Sequence, residues 1–449
     1  MQEFTHFSPR ASLATVGLYM QEKNIWNTVE NVVQIQQKVN RYKPVEKLMD
    51  AFINILAGGQ GIVEINTRVK PDRALQQAFG RTGCADQSSV SHTLNVCTPE
   101  NVDQLRTALA QIYQRHSQGY PHDYQKQYQL LDVDMTGMPA GRKGEGVAKG
   151  YFPKQKNQRG RQLGRVSATW YDEIVVDRLY TGKRQLGYAL QELVAASETV
   201  LKLDEPRRQR TILRLDRGGG TDADINWMLH RGYELLVKMH SWRRAQKLAA
   251  SVSLWRPDPK DPGREIGLVE EPIEYAKPTC QVAVRTRKAD GDFSYTVLVS
   301  SLSDEALQQV LNMPDGPQDR LAALVHAYDL RGGGIETQNR NDKQGLGLTK
   351  RNKASFPAQE MLVLLAQLAH NLVVWTRQHL AQTAPAFQQF GILRLVRDVL
   401  HIPGQINLDA QGHILRITLN QHHPFALPFV QTFAPLLTQN DLSLIWSQI

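Results

Sequence analysis

Cysteine is scarce: the 449 residues hold three, Cys84, Cys97 and Cys280. Three cannot build a disulfide framework, and no Cys-x-x-Cys or Cys/His ligand spacing occurs. A reducing compartment suits such a chain, with cysteine used as an ordinary small side chain. His422 and His423 are adjacent but lack a second ligand pair, which argues against zinc. Met1 to Arg10 shows no charged start followed by an apolar run, so no secretory signal is read there. Long apolar runs are missing too. The most apolar stretch, 361–375, is broken by Gln367, His370 and Asn371 and is too short to span a bilayer. It reads as a buried helix, and the expectation is a soluble, intracellular protein with no membrane partner. The glycine-bearing stretch 137–150 lacks the Gly-Lys-Ser/Thr ending of a phosphate loop and the dinucleotide glycine spacing. No nucleotide cofactor is expected, and no serine nucleophile elbow is present.

Acids are in deficit. Lys and Arg number 53 against 44 Asp and Glu, a formal net charge of +9. Such a balance suits a polyanionic partner, although surplus cations also serve as solubilising surface. Apolar residues make up 41% of the chain, enough for a buried core. The length allows roughly three units of about 150 residues.

Five regions are read along the chain. Residues 1–120 form a helical N-terminal region, with a helix start at Pro71 to Leu75 and a Ser-rich start at Asp86 to Leu94 that suits either a DNA-reading helix or a capped surface helix. Residues 121–240 alternate short strands and helices: Leu130 to Met135, two runs within 167–180, a helix over 188–203, Thr211 to Leu215, a helix over 222–231 and Tyr233 to Lys238. Residues 241–303 are β-rich, with an Asp290-Gly291 hairpin turn. Residues 304–385 return to helix, and 386–449 carry a second hairpin around Asp409 to Gly412.

The chemistry-bearing residues lie at strand ends. Asp134 ends one hydrophobic strand, in Asp132-Val133-Asp134-Met135-Thr136, and Asp216 ends another, in Leu213-Arg214-Leu215-Asp216. Strands alternating with helices place such acids at one rim of a sheet. A third acid on a nearby helix completes an oxygen-only cage suited to Mg²⁺ or Mn²⁺. Two such ions about 4 Å apart activate an attacking oxygen and steady a leaving oxygen at one phosphorus. A lone aspartate at a strand end is ordinarily a turn or cap, so the pattern has to be judged jointly.

The third element is Tyr328-Asp329-Leu330-Arg331-Gly332-Gly333-Gly334-Ile335-Glu336, followed by Lys343. With the two aspartates it resembles the Tyr–Arg–Glu–Lys signature of bacterial insertion-sequence transposases of the DDE class, over about residues 60–400. The resemblance implies an α/β fold: a ribonuclease H-like mixed-sheet core, a β-rich insertion between Asp216 and Glu336, a helical N-terminal DNA-binding region and a helical C-terminal part. It implies Asp134, Asp216 and Glu336 as catalytic acids and metal ligands, with Mg²⁺ or Mn²⁺ as a pair of ions. It implies double-stranded DNA as partner, both terminal inverted repeats and target, and a homodimer in the synaptic complex. Arg331 and Lys343 are donors for phosphate oxygens, with Tyr328 beside a phosphate or sugar. The usual spacing puts three residues between Arg and Glu; this chain has four, three of them glycine. The glycines delay the helix to about Ile335. Asp132, on the same strand face as Asp134, is a rival first acid.

A basic run follows the first acid. Arg142, Lys143, Lys149, Lys154, Lys156, Arg159 and Arg161 surround Tyr151 and Phe152, with Glu145 the one acid between 142 and 165. A one-sign run beside candidate ligands is read as a contact to DNA phosphates. Trp227 is read as a core residue. The activity implied is cut-and-paste transposition; the alternative is a transposase-derived DNA-binding protein without catalysis, and a nuclease that cuts without joining is a further rival.

Overall fold

Leucine- and valine-rich runs of the middle of the chain pair into one sheet. In the computed structural model, which describes residues 4–39, 41–150, 152, 157–313 and 319–445, Gln129–Pro139, Thr211–Leu215 and Glu234–Lys238 lie parallel, with Thr211–Leu215 in the middle. Arg159–Ala168 flanks Gln129–Pro139 on its other side and pairs antiparallel with Glu173–Tyr180. Across the sheet these five strands stand third, second, first, fourth, fifth in chain order, with the last two parallel to the first. This is a ribonuclease H-like mixed sheet. Parallel neighbours need a crossover. The helices Leu186–Leu201 and Asp222–His230 lie in the chain before Thr211–Leu215 and Glu234–Lys238 respectively.

The β-rich run continues the same sheet. Phe293–Ser300 pairs antiparallel with Glu234–Lys238, and Cys280–Arg287, Asp261–Leu268 and Arg256–Asp258 follow outward. The Asp290-Gly291 turn is closed by Lys288 N–H donating to the Asp292 carbonyl at 2.7 Å.

Two compact units result: Gln118–Gly137 with Ala148–Thr337, and Met1–Ser117 with Met138–Val147 and Gln338–Ile449. They cut across the five-region reading of the sequence. The long apolar helix Phe356–Thr383 belongs to the unit that holds both chain ends. There it is buried almost throughout its first 20 residues and packs with Pro99–His116, Pro44–Leu56 and Ala426–Phe433. Phe4–Ser8, read as a polar start, is a strand paired with Gly404–Leu408, which in turn pairs with Ile414–Asn420 across the Asp409 to Gly412 turn. Its partner lies about 400 residues away, so no local pattern announces it. Among the described residues no helix is long and apolar enough to cross a membrane.

One face of the sheet grades from apolar to charged along its parallel strands. Leu130, Ile212 and Leu236 pack against Leu324 and Ala327 of the helix Arg320–Asp329. Two residues further on, Asp132 and Arg214 are level across the strands and form a fully buried, two-pronged ion pair, Nε to Oδ1 at 2.6 Å and Nη2 to Oδ2 at 2.8 Å. Thr169 Oγ1 donates to Asp132 Oδ2 at 2.8 Å, and Arg214 Nη1 donates to the Ala327 carbonyl. Each nitrogen of the guanidinium and each oxygen of the carboxylate thus finds a partner, the condition under which buried charge is tolerated.

Arg214→Met is expected to lower stability by about 3–5 kcal/mol, because it strands a buried carboxylate. Asp132→Leu combined with Arg214→Met should cost clearly less than the two single losses added together. Urea denaturation of the three variants reads both; additive losses would mean the two side chains act independently.

Candidate active site

Strand register brings the acids together. Val133 is level with Leu215 and Leu215 with Val237, so Asp134, Asp216 and Lys238 lie side by side on three adjacent parallel strands. Asp216 and Lys238 stand where their strands end, but Asp134, expected at a strand end, lies inside Gln129–Pro139, which runs on past its pairing with Thr211–Leu215. Neighbouring strands run about 4.8 Å apart. Asp132, Asp134, Arg214 and Asp216 share one face, because side chains alternate along a strand. Asp216 is the N-cap of the short turn Arg217–Gly219 and accepts from Gly218 N–H at 2.8 Å.

The third acid comes from the covering helices. Arg320–Asp329 runs into a single 3₁₀ turn, Leu330–Gly332, and the next helix is Ile335–Gly345, with Glu336 in its first turn. The helix therefore starts where the glycines predict. Gly334 lies against the buried pair: a Cβ there would stand 3.2 Å from Asp132 Oδ2. A side chain there would crowd the buried carboxylate by a few tenths of an ångström.

Arg331 joins the acids. Its Nη2 donates to Asp134 Oδ1 at 2.7 Å and to the Val133 carbonyl at 3.3 Å, and its Nη1 donates to Glu336 Oε1 at 3.0 Å. The arginine side chain is 4% exposed, Asp134 13% and Glu336 58%. Burial holds the Asp134 carboxyl above the usual carboxylate range; the charge of Asp216 adds to this and Arg331 opposes it. Burial works against the Arg331 cation, but Asp134, Asp132 and Asp216 together outweigh it and hold its pKa above the usual value. Burial also raises the Tyr328 phenol; Arg331 pulls it down, while Asp216, Glu336 and Asp134 push it up. Asp134, Asp216, Glu336, Arg331 and Tyr328 therefore form one electrostatic cluster.

The remaining sequence candidates are scattered. Asp132, the rival first acid, is taken up by Arg214 and lies fully buried. Lys343 stands in the last turn of the Glu336 helix, in the part that belongs to the other unit. Arg142 and Lys143 are exposed in a turn of that unit, where Glu145 accepts from Phe356 N–H at the start of the long helix. Lys149 and Arg159 face each other on paired strands. Arg161 corrects the reading of the run: it falls inside the strand Arg159–Ala168 and is 1% exposed, so phosphate cannot reach it. Tyr151, Lys154 and Lys156 lie outside the described residues. Trp227 is half-buried rather than in the core, with the Arg231 guanidinium 5.2 Å from its ring centre.

Two features escaped the sequence reading. Lys238 is a cation at the acid rim, and the signal was available, since it ends a short hydrophobic strand run as Asp216 follows another. Burial and Arg217 lower its pKa, while Asp216 and Asp329 act the other way. Lys183 and Arg184 join Lys149 around a cleft of about 340 Å³. They come from a separate loop, so no single run contained all three. The cysteines are not nucleophiles: burial pushes the Cys97 thiol up to about 12.

Oxygen donors are the right chemistry for Mg²⁺ or Mn²⁺. Among the described residues, however, no three His, Cys, Asp or Glu side chains are gathered to hold a metal. The Arg331 guanidinium stands where Asp134 and Glu336 converge. In this arrangement the carboxylates do not fit a divalent ion.

The sequence matches the family model described as transposase DDE domain group 1 over residues 13–440. No curated protein matches. Among solved structures, the chain is similar to the piggyBac transposase in its cryo-EM synaptic complex with hairpin DNA, at 13% identity and a TM-score of 0.44, covering 90% of this chain and 82% of that one.

Asp216→Asn removes a negative charge that raises the Asp134 pKa, so Asp134 is expected to titrate at lower pH in that variant. Carboxyl ¹³C NMR of selectively labelled aspartate reads the midpoint; an unchanged midpoint would show that the two carboxylates do not sense each other.

Proposed function

The chain belongs to the family of transposases with a group 1 DDE domain, and on that premise we propose that it moves a bacterial insertion sequence by cut and paste. The observation that supports this reading is the convergence of Asp134 and Glu336 on Arg331, with Asp216 level with Asp134 at the same sheet rim. Cleavage at the terminal inverted repeats frees a 3′-OH, which attacks target DNA. Bond energy is conserved in that exchange, so no nucleotide cofactor is required.

The proposed roles follow the site. Asp134, Asp216 and Glu336 are the catalytic acids. Tyr328, Arg331, Glu336 and Lys343 form a Tyr–Arg–Glu–Lys signature with one additional residue between Arg and Glu. Arg331 and Lys343 grip phosphates, and Tyr328 packs beside them. DDE transposases in general use divalent metals; Mg²⁺ or Mn²⁺, as two ions, is the proposed cofactor, supplying Lewis-acid stabilisation of phosphorus-bound oxygens. Arg142, Lys143, Lys149 and Arg159 contact the DNA backbone. Two copies act together because two element ends must be joined. The protein is proposed to work in the cytoplasm on nucleoid DNA.

Alanine at Asp134, Asp216 or Glu336 is expected to reduce strand cleavage on the order of a thousandfold or more while leaving binding to element ends intact. The assay uses duplexes from the DNA flanking the gene, with Mg²⁺ or Mn²⁺. Unchanged function in these variants favours the non-catalytic DNA-binding reading, and cutting without joining favours a nuclease.

Salt dependence tests the basic residues separately. Each phosphate contact contributes about −0.9 to the slope of log affinity against log salt. Replacing Arg142, Lys143 or Lys149 by alanine should therefore flatten the slope by about 0.9 each. Arg161→Ala should leave the slope unchanged and lower the melting temperature instead. An altered slope for Arg161→Ala would contradict its burial.

A further inference from the structure

We infer that Arg331 is a counter-ion displaced by substrate: without DNA it occupies the Asp134–Glu336 centre, and an arriving phosphate draws it off and opens that centre to a divalent cation. This rests on the reading of Asp134, Asp216 and Glu336 as the cation-binding acids.

Three observations carry it. First, one guanidinium bridges both acids, through Nη2 to Asp134 at 2.7 Å and Nη1 to Glu336 at 3.0 Å. A divalent cation of the Mg²⁺ class needs carboxylate oxygens at about 2.0–2.1 Å in near-octahedral array. A guanidinium directed at the same two carboxylates excludes it by volume and by like charge. Second, the arginine is only partly satisfied. Its Nε is buried and has no hydrogen-bond partner. A phosphate offers planar, two-pronged acceptance to such a fork, which a pair of separate carboxylates does not. Arg214 is different: it is tied to both oxygens of Asp132 and to the Ala327 carbonyl, so it is no candidate for exchange.

Third, the segment after Arg331 is built to move. Gly332 and Gly333 have no positive φ. A Cβ at Gly332 would meet nothing within 4 Å, and one at Gly333 only the Leu330 carbonyl at 3.6 Å. Neither turn geometry nor packing calls for glycine at these two positions. What glycine adds there is backbone freedom, next to the residue whose side chain has to change partners.

The test is Mn²⁺ binding, read from the EPR signal of free Mn²⁺, on the full chain with and without a short duplex from the DNA flanking the gene. For the unaltered protein, duplex should tighten Mn²⁺ binding about tenfold or more, as relief of a competing charge allows. Arg331→Gln should bind Mn²⁺ about tenfold more tightly without DNA and gain little from the duplex. The double variant Gly332→Ala, Gly333→Ala, whose added methyls meet nothing closer than ordinary van der Waals contact, should retain its fold and show a smaller duplex-dependent gain. Mn²⁺ affinity indifferent to bound duplex in the unaltered protein would overturn the inference, whether or not Arg331→Gln folds. Equal or weaker Mn²⁺ binding by a cooperatively melting Arg331→Gln would overturn it as well. Cleavage of DNA reports on the transposase reading alone: cleavage with duplex-indifferent Mn²⁺ binding sinks only the exchange, and duplex-linked Mn²⁺ binding without cleavage supports the exchange while sinking the proposed reaction.

Discussion

Carboxylates level on adjacent strands of one sheet repel each other, and this structure depends on the cation that offsets the repulsion. Asp134 and Asp216 are level on neighbouring strands. Burial raises the cost of ionising Asp134, and Asp216 raises it further. Arg331 answers that field from the covering helices and brings in Glu336 by its second prong. The first turn of the Glu336 helix is thereby tied to the acid rim through Arg331.

The same sheet face uses charge in two ways a few ångströms apart. Deeper in, Asp132 and Arg214 are closed off by Thr169 and a backbone carbonyl, and the pair acts as a polar extension of the core. At the rim, Arg331 serves two acids with a fork that leaves one donor unused. A fully satisfied buried network rigidifies the core around it. The contrast assigns structure to the inner pair and chemistry to the outer cluster, although both were an Asp and an Arg in a short stretch of sequence.

Much of the central unit was legible in advance. Thr211–Leu215 was read to the residue, and the Asp290-Gly291 and Asp409 to Gly412 hairpins were read from turn chemistry. These elements are local: period-two alternation and turn residues suffice. Arg161 was misread because a run of cations looks exposed until strand pairing turns some of them inward. The strand Phe4–Ser8 was missed because its hydrogen-bonding partner is at the other end of the chain. The rivalry of Asp132 and Asp134 was not open to decision from spacing, since both face the same side.

The sequence by itself determined which acids accompany the hydrophobic strand runs, in what order, and that glycines delay the helix carrying Glu336, because these follow from short-range periodicity and backbone conformation. Only the tertiary structure decided which aspartate Arg214 neutralises, that Arg331 rather than a gathered cage holds Asp134 and Glu336, and that Lys238 joins the rim. Those outcomes turn on register between strands and on burial, which depend on residues far apart in the chain and are fixed only when the sheet is assembled.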